Sequence, residues 1–157
     1  MALSELTWIP DLENYIANHI VDTLTEKSKT VKVLINTELP RPLLNDTITL
    51  DMVGYDPAHI GSMDVYSATK QAMRYKIQYY VTVNTEKTYE RAIIGSLLST
   101  FSFGSARHEL LIDITGEELT FVALGNGDTG PSQDKTIYQS AFMLTLIVII
   151  PFTSQIL

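Results

Sequence analysis

The sequence predicts an α+β domain: a single, mostly antiparallel β-sheet with two α-helices packed on one face. Three observations predict it. Residues 73–84 alternate without a break between apolar and polar, the period of a half-buried strand. Residues 141–150 are almost wholly apolar and strand-like, as in a strand covered on both faces. Two further segments carry apolar residues every four positions, the stripe of a helix that docks on a sheet. At 157 residues the chain has the length of one domain, enough to bury ~68–70% of the surface its unfolded form exposes.

The first helix is expected over residues 10–27. Pro10 suits a first helical turn, and Asp11 and Glu13 lie near the positive end of the helix dipole. Leu12, Ile16, Ile20 and Leu24, with Tyr15 beside them, form its core stripe. A strand over 31–36 alternates Val31, Val33 and Ile35 against Lys32, Leu34 and Asn36, and Pro40 and Pro42 prevent its continuation. A strand over 47–53 follows, with Ile48, Leu50 and Met52 inward. Residues 54–70 have no clear period and read as a long loop.

In the 73–84 strand, Met73, Tyr75, Ile77, Tyr79, Val81 and Val83 make the core face. Asn84 or Thr85 then caps a second helix over 86–102, with Tyr89, Ile93, Leu97 and Phe101 at i+4 spacing and Ile94 and Leu98 alongside. Gly104 is its natural stop. Residues 108–115 and 118–124 read as a hairpin turning at Thr115, Gly116 and Glu117. The glycine-rich stretch from Gly125 reads as a loop over 125–135, and both long loops are expected to be mobile until a partner orders them. A closing strand over 138–150 and a loose tail at 154–157 complete the chain.

Eighteen acids against 11 bases give a formal net charge of −7, the wrong sign for binding that rests on neutralising phosphates. With no cysteine, disulfides and thiolate chemistry are excluded. No secretory signal is evident at the N-terminus. The longest apolar run, 144–152, is interrupted by Thr145 and Pro151 and falls short of the ~20 residues of a membrane-spanning helix, so no membrane segment is expected.

His19, His59 and His108 lack metal-ligand spacing, and His19 is expected to be structural. The glycines at 125, 127 and 130 lead through Pro131 into a strand, whereas a phosphate loop leads into a helix. No serine sits in a nucleophile motif, so no enzyme and no cofactor are expected. Arg74, Lys76, Arg91 and Arg107 come from separate elements and read as a solvated face.

The candidate functional residues are therefore surfaces. In the closing strand one residue set faces the helices. The other, including Thr145, Ile147 and Ile149, falls on the opposite sheet face, where water contact would cost ~25 cal/mol per Å² unless a neighbouring subunit covers it. Asp56, His59, Asp64, Tyr66, Asn126 and Asp128, in the two expected loops, are the candidate partner-docking residues.

As an ordered set, these elements resemble the tail terminator proteins of long-tailed bacteriophages, including those of lambda-type tails. The likeness is one of architecture: the helix at 12–26, the strand-loop-strand block at 47–84, the helix at 86–101 and the closing strand that begins Tyr138-Gln139-Ser140-Ala141-Phe142. It implies a virion protein, assembled in the host cytoplasm, that forms a ring of usually about six copies. Such a ring sits on the tail tube protein, ends tube polymerisation and offers a joining surface to the neck or head-completion protein. DNA passes through it as a non-specifically contacted strand. The resemblance implies no catalytic residue. Another neck, head-closure or tube component would share these features. From a different class, a small-ligand-binding α+β domain with tyrosines lining a pocket is the alternative, although Tyr75 and Tyr79 lie on the expected core face.

Overall fold

The computed structural model describes residues 8–40, 43–57, 63–67, 70–99, 113–129 and 136–153. The chain forms helix α1 (Trp8–Glu26), strands β1 (Lys32–Ile35), β2 (Thr47–Pro57), β3 (Met63–Ser67) and β4 (Lys70–Thr85), helix α2 (Thr88–Ser99), and strands β5 (Asp113–Thr129) and β6 (Thr136–Thr153). The strands make one sheet in the order β1-β2-β4-β6-β5, with β3 also paired to β4. Only β1 and β2 run parallel; the remaining pairs are antiparallel. Both helices pack on one face, as the sequence predicts.

The centre of the sheet is the β4–β6 pair, in continuous register from Lys70↔Thr153 to Thr85↔Tyr138. Its alternation turns Ile77, Tyr79, Val81 and Val83 into the core beside Phe142, Leu144, Leu146 and Val148 of β6. Ile48 and Leu50 of β2 extend the same layer. Leu12, Ile16, Ile20 and Leu24 of α1 are each at most 1% exposed, so the fourfold repeat is the docking stripe. At the start of α1, Trp8 stacks on Tyr75 at 5.1 Å and meets Tyr55 edge-on at 5.8 Å, closing that end of the core. At the other end Lys29 N–H donates to Leu24 O and Ser28 N–H to Thr25 O, with Ser28 in the left-handed region (φ 61°). This helix-terminating turn redirects the chain into β1.

Thr85 rather than Asn84 serves the start of α2: its Oγ1 accepts the Lys87 N–H at 3.2 Å and donates to Asp46 Oδ1 at 2.7 Å. The buried face of α2 is centred on Ile94 and Leu98. Extended backwards, that face passes through Glu90 and Arg91, which leaves Tyr89 75% exposed rather than in the core stripe. Phe101 and Gly104 lie outside the described residues. Gly95 turns toward β6, where an added Cβ would sit 3.5 Å from the Phe142 ring.

Three expectations are corrected. Residues 54–70 are not one loop: β2 continues to Pro57, and β3 pairs with β4 from Met63↔Met73 to Ser67↔Lys70. The expected hairpin at Thr115-Gly116-Glu117 is absent, because β5 runs through Gly116 and on through Gly125 and Gly127, absorbing irregularities in register against β6. Residues 125–129 of the second expected loop therefore belong to a strand; residues 58–62, 68–69 and 130–135 lie outside the described residues. β6 also continues through Pro151, paired with Ala72. Among the described residues, β6 beyond Ile149 has β4 as its neighbour, and proline is tolerated where a strand pairs on one side.

Candidate assembly surfaces

Among the described residues, no helix covers the second face of the sheet. The strand period places Thr49 and Asp51 of β2, Gln78, Tyr80 and Thr82 of β4, Met143, Thr145 and Ile147 of β6, and Glu118 and Thr120 of β5 on it. Tyr80, Glu118 and Thr120 are exposed, and Met143, Thr145 and Ile147 half-buried. The face is not uniformly apolar, since Gln78 Nε2 donates to Thr145 Oγ1 at 3.2 Å.

Toward β2 this face becomes a polar cleft of about 560 Å³, lined by Asn36 to Leu39, Thr49, Asp51, Met52, Thr82, Asn84 and Gln139. Asn84, 1% exposed, is its hub. Its Nδ2 donates to Thr47 O at 3.2 Å and Thr82 O at 3.1 Å, while its Oδ1 accepts Gln139 Nε2 at 2.7 Å. One side chain thus ties β2, β4 and β6 together. At the rim Asn36 adopts φ 49°, a left-handed conformation that asparagine tolerates better than most residues. Its Oδ1 accepts the Met52 N–H at 2.8 Å, at the register shift of β2, and its Nδ2 donates to Glu13 Oε2 at 3.0 Å. Burial raises the pKa of Asp51. The cleft offers hydrogen-bonding groups and two carboxylates, Glu38 and Asp51, but no histidine, thiol or lysine.

Beneath it, the Tyr79 hydroxyl is buried without a well-formed hydrogen bond. Burial raises its pKa, and the neighbouring Glu13 carboxylate raises it further. The folded state therefore resists ionising Tyr79 where the unfolded chain ionises freely, so stability falls as pH rises above the ordinary tyrosine value of about 10. Tyr79→Phe is expected to change stability at neutral pH by no more than about 1 kcal/mol, because the hydroxyl makes no well-formed hydrogen bond and its neighbour Glu13 keeps the bond from Asn36 Nδ2. It should also reduce the alkaline loss; denaturant titrations of both proteins at neutral and alkaline pH check this.

Among the described residues, the outer sides of β1 and β5, the two ends of the strand order, have no strand beside them. On β5, Phe121, Val122 and Leu124 are 52%, 48% and 59% exposed, a high fraction for large apolar residues on a strand. The Phe121 ring meets Phe142 edge-on at 5.7 Å, which anchors the edge to the core. Arg91 of α2 fixes the far end of β5: Nη1 donates to Gly125 O at 3.1 Å and the guanidinium lies 5.5 Å from the Tyr138 ring centre.

The residues singled out in the sequence fall as follows. Thr145 and Ile147 lie on the open face, and Ile149 is paired in β6 with Arg74 and Asp113. Asp56 is in β2 opposite Lys76, Asp64 in β3 opposite Ala72, and Tyr66 at the irregularity between Val65 and Ser67. Asn126 lies in β5 opposite Tyr138, with Asp128 in the irregular stretch after it. These five are strand residues rather than loop residues, and they do not form one cluster: β2 and β3 lie on one side of β4, β5 on the other. His59 lies outside the described residues. His19 stacks on Tyr15 at 5.9 Å, in keeping with a structural role. The Asn84 hub is foreshadowed by a polar residue closing the alternation, a position that reads equally well as a helix cap. Nothing local marks the β5 edge, because its exposure depends on strand order.

Among the described residues, no three acids or histidines gather to hold a metal ion, and no helix is long and apolar enough to cross a membrane. No family model matches the sequence, and no curated protein is similar to it at a significant level.

Proposed function

We propose that this protein is a ring-forming structural component of a bacteriophage tail, the terminator that caps the tail tube, ends its polymerisation and presents a joining surface to the neck or head. The observation that carries the reading is the second face of the sheet, which no helix among the described residues covers, with half-buried Met143, Thr145 and Ile147 on it. A two-layer domain leaves such a face in water unless another chain covers it. Thr145, Ile147 and Ile149 are the proposed subunit-covered end of that face. The net charge of −7 suits a channel through which DNA slides without adhering, and the α+β order of elements fits the terminator resemblance. A related neck, head-closure or tube component would share these supports.

The test is to add the purified protein to polymerising tail tubes and examine them by electron microscopy. The expected result is a single extra ring at tube ends and arrested elongation. Tubes that elongate unchanged, with bare ends, would overturn the terminator role. A second reading, a small-ligand-binding domain, is favoured by the 560 Å³ cleft, which falls in the ~300–1,000 Å³ range of ligand sites. Its polar lining distinguishes it from most such sites, which are mainly apolar.

A further inference from the structure

We infer that copies of this chain join head to tail along their sheet edges, the outer side of β5 in one copy pairing antiparallel with the outer side of β1 in the next. The inference rests on the ring reading and adds an edge contact to the covered face proposed there. Charge selects the occupant. β5 carries Asp113, Glu117, Glu118 and Asp128 with no basic residue. Two β5 edges side by side would bring like charges together, which is unfavourable across a strand pair. The opposite edge has the complementary sign: β1 contains Lys32 and no acid. The turn leading into it holds Lys27 and Lys29. Lys32 and Lys27 are exposed, while Lys29 is held by Glu90 at 3.0 Å.

The topology fits the same pairing. β1 is parallel to β2, β2 antiparallel to β4, β4 to β6 and β6 to β5, so β1 and β5 run in opposite senses. Copies related by a rotation that continues the sheet therefore bring β5 against β1 as an antiparallel pair. The backbone is available. Lys32 N–H and Asn36 N–H bond inward to β2, which turns the Val33 backbone groups to the free side. The faces agree as well. Lys32 is in register with Thr47 and Glu118 with Thr145, both on the open face, while Val33 and Leu119 both pack against the core. Among the registers that keep the core side continuous, the one that sets Lys32 opposite Glu118 joins the opposite charges and lays β1 along the exposed apolar part of β5. A contact between two different edges is heterologous, and it yields a ring when the rotation closes.

Native mass spectrometry of the whole chain tests this with Glu118→Lys, Lys32→Glu, the double variant carrying both, and an equimolar mixture of the two single variants. Both side chains are exposed, and circular dichroism verifies the fold. Should a reversal unfold the chain, Glu118→Gln and Lys32→Gln replace it, with a smaller effect expected in the same direction. The expected result is assembly of the wild type, a roughly tenfold or greater rise in the assembly concentration for each single reversal, and recovery in both the double variant and the mixture. Reversals without effect, or a loss not recovered by the charge swap, would overturn the edge contact while the ring stands. A wild type that is monomeric throughout would overturn both.

Discussion

Ile77→Ala is expected to destabilise the folded chain by about 3–5 kcal/mol, the upper part of the range for truncating a buried aliphatic residue. Ile77 is fully buried, opposite Leu146 and within the layer that α1 covers, so the lost side chain leaves a cavity that neither sheet nor helix can close without breaking register. For a chain of this size the melting temperature should fall by roughly 6–20 °C. Chemical denaturation followed by circular dichroism measures it. Tyr80→Ala, three positions away on the open face, is the control. At 41% exposure it should cost much less, and equal losses would mean that the faces of β4 are wrongly assigned.

Asn84→Ala is expected to cost about 2–3 kcal/mol, more than a single surface hydrogen bond contributes, because it leaves buried partners unsatisfied. The Thr47 and Thr82 carbonyls lose a donor and Gln139 Nε2 loses its acceptor, around a side chain that is 1% exposed at the base of the cleft. The same denaturation measurement applies, and a change below about 0.5 kcal/mol would show that water replaces the amide there.

What could be read from the sequence follows from how local each signal is. The stripe of α1 and the alternation of β4 are periodic over many residues, and both appear in the structure with the expected face buried. β3 was not legible because Met63–Ser67 is short and is held as a strand only by its pairing with β4. The glycines at 116, 125 and 127 read as turns, yet β6 supplies a template along which β5 runs past them with shifts of register. Tyr89 was misplaced because its i+4 series lies beside the one that packs. The polar cleft was illegible for another reason: Asn36, Asp51, Asn84 and Gln139 are far apart in the chain, and only strand order brings them together. The acidic edge of β5 and the basic start of β1 are visible as compositions, but their standing at opposite ends of one sheet is not.

Ring assembly is tested most directly by the mass of the purified wild-type protein in solution, measured by light scattering across a range of concentrations. The expected result is one discrete species of about six chains of 17.6 kDa each, unchanged on dilution until it dissociates to subunits. A 17.6 kDa monomer at every concentration would contradict it.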